Sequence, residues 1–185
     1  MPPLHFAPAF FAIAILVAVI AAVIDLRRGE IPNAVTLVPL VLAPVLHAGA
    51  ALYVGRSHEA HIAAALSVLG AVAAGVVPFV LWRADAIGGG DVKLLAAVGA
   101  LLRPMIGVEA VFYAFIAAAV LALAQMAWQG KLLRVLGNSL ALATNPLRKK
   151  EDRREIAPEM MTWARMGPAI ALGTAVAVVA QWRVL

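Results

Sequence analysis

Apolar residues in this chain run in long unbroken blocks, where a soluble amphipathic helix or strand would interleave them with polar ones. The blocks are Phe6–Ile24, Ala34–Val54, Ile62–Trp82, Val92–Leu102, Met105–Trp128 and Thr162–Trp182. All but the fourth have the length, about 17–25 residues, that a helix needs to cross a hydrocarbon core roughly 30 Å thick. The pattern predicts an all-α polytopic membrane protein with about six transmembrane helices. So little sequence lies between the blocks that residues 1–185 read as a single integral-membrane domain. With 64% apolar and 14% charged residues, the composition lies well outside the soluble norm.

The interruptions refine the pattern. Pro32 drives Ile31 toward extended geometry and Asn33 is placed to cap the second helix. Pro39 and Pro44 predict a bend within that helix, tolerated where neighbours satisfy the freed carbonyls. The third helix carries Ala63, Ala64, Ala65, Gly70, Ala73, Ala74 and Gly75, a small-residue composition that lets helices pack closely. The fourth run is short: residues 91–103 reach about 20 Å as a helix before Arg103-Pro104 interrupts. To reach the far face, its Asp91 end must be recessed and the Gly88–Gly90 backbone must dip in after it, beside protein or a water-filled cavity.

Charge sets the orientation. The first run has no Lys or Arg before it, and Arg27-Arg28 follow it, which favours an uncleaved helix with its N-terminus outside. Six spans from that start put 12 of the 15 basic residues on the cytosolic side, leaving only Arg56, Arg103 and Arg183 outside. Trp82, Trp128, Trp163 and Trp182 fall at span ends, as an aromatic belt requires. The net charge of +5 thus reports topology and anionic lipid, with no nucleic-acid partner. Within the cytosolic segment 129–161, Lys131–Ala143 reads as an interfacial amphipathic helix and the fully charged stretch Arg148–Glu155 as a solvated linker. The chain has no cysteine, so neither a disulfide nor a cysteine metal cluster is available to it.

Two acids stand where charge is costly. Asp25 closes the first run and Asp91 opens the fourth, and the topology places both at the same membrane face. An ionisable group at membrane depth is a functional candidate by default. Asp91 has a bland alternative as the N-cap of the fourth helix, with the glycines making the turn. Asp25 has a weaker one, since an acid at a helix C-terminus opposes the macrodipole, although Arg27 or Arg28 could pair with it. Together they suggest more. Two carboxylates about 3 Å apart hold one proton between them, so one takes a proton from water while the other polarises a peptide carbonyl. That is aspartyl-protease chemistry, without metal or covalent intermediate. His47 lies mid-helix, and His58 and His61 flank Glu59; scattered in this way they make a poor metal site.

Asp25-x5-Ile31-Pro32-Asn33 and Gly88-Gly89-Gly90-Asp91-Val92-Lys93-Leu94 resemble the signatures of the type IV prepilin peptidases, membrane aspartyl proteases with a Gly-x-Gly-Asp motif. Gly167-Pro168-Ala-Ile-Ala-Leu-Gly173 is similar to the last helix of the short branch serving Flp-type (tight-adherence) pili. The resemblance implies a multi-pass enzyme of the bacterial inner membrane that cuts the leader from a prepilin, after a glycine, without a cofactor. It implies Asp25 and Asp91 as the catalytic pair, and Gly88, Gly90 and Lys93 at the substrate. Larger members carry a cysteine-bearing zinc region and methylate the new N-terminus; this chain lacks that region, so methyltransferase activity is not expected. Two alternatives share the acids. A presenilin-like intramembrane protease would use Pro168-Ala-Ile, although Asp25 lacks that family's Tyr-Asp context, and a small transporter or assembly factor would use the pair as a proton relay.

Overall fold

The computed structural model describes residues 7–130 and 165–182. The amphipathic helix expected over 131–143 and the charged stretch 148–155 lie outside the described residues. Among the described residues the chain is all helical, with α1 Ala7–Arg28, α2 Asn33–Tyr53, a 3-10 turn Ser57–Glu59, α3 Ala60–Arg83, α4 Gly89–Trp128 and α5 Met166–Trp182. Four of these helices are long and apolar enough to cross a membrane, and α5 is a shorter apolar helix. The protein is therefore a multi-pass membrane protein. The described residues fall into two compact units, one of residues 7–118 and 165–182 and one of residues 119–130. The second consists of the last turns of α4 and a turn closing on Gly130.

In the first unit many large apolar side chains face outward and much of the interior is alanine, although Leu94, Leu95, Leu101 and Ile170 are buried too. Large side chains such as Leu16, Val41, Val45 and Val80 are exposed, while Ala14, Ala18, Ala43 and Ala97 are fully buried. Lipid tails are as apolar as leucine, so helices gain little by hiding large side chains from them; small residues at the interfaces bring backbones into van der Waals contact. On α1 the buried positions Ala14, Ala18, Ala21, Ala22 and Asp25 recur at helical spacing and form the face that packs on α5. That spacing carries Asp25 into the protein interior.

Glycines mark the closest approaches. A Cβ on Gly70 of α3 would lie 2.2 Å from the Gly99 carbonyl oxygen of α4, and one on Gly173 of α5 would lie 2.3 Å from the Ala114 nitrogen. The small-residue third helix therefore packs as its composition predicts.

Helix α4 breaks where the sequence predicts. Arg103 has φ 65° and ψ 175°, and Pro104 follows it. Pro104 has no N–H for the Ala100 carbonyl and disfavours helical geometry at Arg103. A Cβ on Gly107 would lie 2.8 Å from the Gly99 Cα. Eight residues apart in a continuous helix they would be separated by about 12 Å, so the chain doubles back at the break. The carbonyls released there find donors on other helices: Ser67 Oγ donates to Ala100 O (2.7 Å) and His47 Nε2 to Leu101 O (3.0 Å). His47 Nδ1 then accepts from Arg103 Nη2 at 3.3 Å, and Phe10 stacks on the imidazole with ring centroids 3.7 Å apart. His47 is thus a buried structural histidine. Among the described residues no group of three or more His, Cys, Asp or Glu could hold a metal.

Candidate active site

Three local features place the two acids. α1 runs on through Arg28, so Asp25 lies inside its last turn, at 6% exposure. The turn that follows closes with Gly29 N donating to Asp25 O at 2.8 Å, with Gly29 at φ 74°. It brings Ile31 against the start of α4, where a Cβ on Gly90 would lie 3.3 Å from the Ile31 Cβ. Lys93 Nζ donates to Asn33 Oδ1 at 2.8 Å and ties α4 to the start of α2. Asp91 is thereby held near the end of α1 that carries Asp25.

Each carboxylate is engaged through Oδ2 by one backbone N–H. Asp91 Oδ2 accepts from Gly88 N at 3.2 Å. Asp25 Oδ2 accepts from Gly167 N, 142 positions away, at 3.0 Å. Arg165 adds a side-chain contact at the same place: Nη1 donates to Asp25 O at 3.0 Å and also to Leu26 O. Asp25 O already accepts from Gly29 N, so the Arg165 contact adds a partner there and supplies one to Leu26 O, and a cation suits the sign of the dipole at this helix end.

Three expectations need correction. Asn33 does not cap α2; Pro32 holds that position, no side chain caps the helix, and the Asn33 amide oxygen serves Lys93. The Gly88–Gly90 segment is not a loop throughout, because α4 begins at Gly89 and takes Gly89 and Gly90 into its first turn. Asp91 is not the N-cap either. It stands in the third helical position and reaches back to the N–H of Gly88, as the acid of a capping box does. Arg165 was missed. It lies 140 residues from Asp25, and no helical or strand period connects the two. The matching of a glycine on α5 to the carboxylate has no signal in the sequence beyond the Gly167-Pro168 pair itself.

The fold and these contacts define a polytopic helical membrane protein with a buried aspartate in the last turn of α1 and a second aspartate in the first turn of α4. Residues 12–123 match the type IV leader peptidase family, and the chain belongs to that family. Compared with curated proteins and with solved structures, it gives no match in either. Family membership makes the chain a peptidase and sets the proton-relay transporter aside.

Proposed function

We propose that this protein is an aspartic endopeptidase that removes the leader of Flp-type prepilins at the cytosolic face of the bacterial inner membrane, without methylating the product. One observation carries the proposal. Asp25 in the last turn of α1 and Asp91 in the first turn of α4, 66 positions apart in sequence, lie at helix ends joined by the packing of Ile31 on Gly90, each pinned through Oδ2 by a backbone N–H. Among the described residues no hydrogen bond is made to Oδ1 of either, so both present an oxygen for the reaction.

The chemistry follows from the pairing. Close carboxylates share one proton. The ionised member takes a proton from a water held between the pair, and the hydroxide oxygen attacks the scissile carbonyl carbon. The protonated member gives its proton to the carbonyl oxygen, forming a neutral diol. On collapse the C–N bond breaks, the proton taken from water passes to the departing nitrogen, and the diol returns one proton to the dyad. Gly88 and Gly90 lie beside Asp91 and seat the extended peptide; Lys93 fixes the start of α2 next to it.

The test is processing of a co-expressed Flp-type prepilin, read by immunoblot. Asp25→Asn and Asp91→Asn each abolish cleavage while membrane insertion and abundance stay at the wild-type level, because an amide neither accepts the proton nor shares one. Substantial processing by either variant removes the dyad.

A further inference from the structure

We propose that the start of α5 and the residue just before it are the positioning element of the catalytic pair, with Gly167 fixing the Asp25 carboxylate and Arg165 fixing the helix end that carries it. This rests on the assignment of Asp25 and Asp91 as the pair. The two acids differ in how they are held. Asp91 is fixed locally, by the N–H of a residue three positions before it. Among the described residues the Asp25 carboxylate has no partner on α1; its hydrogen bond comes from Gly167.

Mutual capping of two helix ends accounts for part of this. Gly167 N is one of the donors at the start of α5 that lack an intrahelical partner, and Arg165 serves two carbonyls at the end of α1, Leu26 O and the Asp25 O that already accepts from Gly29 N. Capping alone does not account for the glycine, because every residue but proline offers the same N–H. A Cβ at position 167 would lie 2.8 Å from both the Asp25 Cβ and its Oδ2, and 3.1 Å from the Ala22 Cα. Only glycine lets the backbone come that near the carboxylate. Any larger residue displaces the Asp25 head or tilts α5 off α1. Arg165, two residues earlier and just before α5, contacts the carbonyl of the same aspartate, so backbone and side chain of Asp25 are both held from the start of α5. Neither group touches the reacting atoms, and both act through Asp25.

The experiment uses the full-length protein in liposomes with a reconstituted Flp-type prepilin, with kcat and KM measured per folded enzyme. Gly167→Ala and Arg165→Gln each lower kcat by about tenfold or more with KM within about threefold, since sub-ångström to ångström displacement of a reacting group costs rate rather than binding. Arg165→Lys recovers most of the kcat that Arg165→Gln loses, because an ammonium still donates to the two carbonyls. If Gly167→Ala does not accumulate, the two Arg165 variants decide the matter. A wild-type kcat per folded molecule overturns the positioning role and leaves only helix capping. A raised KM at unchanged kcat also overturns it, placing this turn on the substrate. Asp25→Asn, run alongside, separates the two levels: cleavage by that variant removes the dyad itself, whereas an inactive Asp25→Asn beside fully active Gly167→Ala and Arg165→Gln removes only the role of α5.

Discussion

The glycines before Asp91 do different work, and the space around each tells them apart. A side chain at Gly90 would meet the Cβ of Ile31, on the turn between α1 and α2, at 3.3 Å. Alanine there is tight, and a β-branched residue must displace that turn from beside the pair. At Gly89 the nearest atom is Trp82 Nε1, also at 3.3 Å, the far end of a side chain able to swing aside. Gly90→Val should therefore cut prepilin processing by about tenfold or more, whereas Gly89→Ala stays near wild type. Asp91→Ser keeps a hydroxyl to accept from Gly88 N but has no carboxylate, so it should insert normally and cleave nothing. Blots for enzyme and product in the same membranes check all three, and an active Asp91→Ser ends the catalytic assignment of Asp91. At this scale the sequence was informative about identity and poor about conformation. It marked Asp25, Asp91 and the glycines, yet suggested a loop where two of the glycines are helical. Three glycines in a row argue against helix by propensity; packing of Gly90 against Ile31 leaves little room for a side chain there and favours glycine in spite of that preference.

At the scale of elements, the break in α4 is the feature that most departs from regular helix. It ends the limb that opens with Asp91 after about four turns and sends the chain back along itself. Arg103-Pro104 made the break legible from sequence. Its stabilisers were not legible, because Ser67 and His47 sit 33 and 54 residues from the carbonyls they serve, on α3 and α2. A positive φ at a non-glycine residue costs about 1–3 kcal/mol and persists only where the surroundings enforce it. Buried hydrogen bonds inside membrane proteins average near 0.6 kcal/mol, and an orphaned buried acceptor costs about 1–3 kcal/mol. Ser67→Ala should thus destabilise by about 1 kcal/mol. His47→Leu should cost more, because it strands Leu101 O, removes the acceptor for Arg103 and loses the stacking on Phe10. Thermal unfolding in detergent gives the order: wild type above Ser67→Ala above His47→Leu. A His47→Leu protein as stable as wild type would show that the break is held by packing alone.

For the whole molecule, the length and spacing of the apolar blocks were sufficient to give a multi-pass helical bundle, because that follows from bilayer thickness and needs no knowledge of partners. Which helices touch was not legible: the pairing of α1 with α5 joins the two ends of the chain and rests on glycine and alanine faces without a distinctive period. Orientation is a separate matter, set by the charges outside the bundle. Twelve of 15 basic residues fall on one side of a six-span arrangement, so the turns at 25–33 and 84–91 should face the cytosol and residues 55–61 the exterior. Both candidate acids would then stand at the cytosolic face, where a newly made prepilin presents the junction between its leader and its apolar helix. The absence of native cysteine makes the test clean. His58, whose side chain is 79% exposed, and the exposed Asp85 are suitable positions for single cysteines. An impermeant maleimide should label His58→Cys in intact cells and Asp85→Cys only after permeabilisation. The reverse pattern would put Asp25 and Asp91 on the outer side, away from the leader, and the substrate proposal would have to be abandoned even if both acids proved essential.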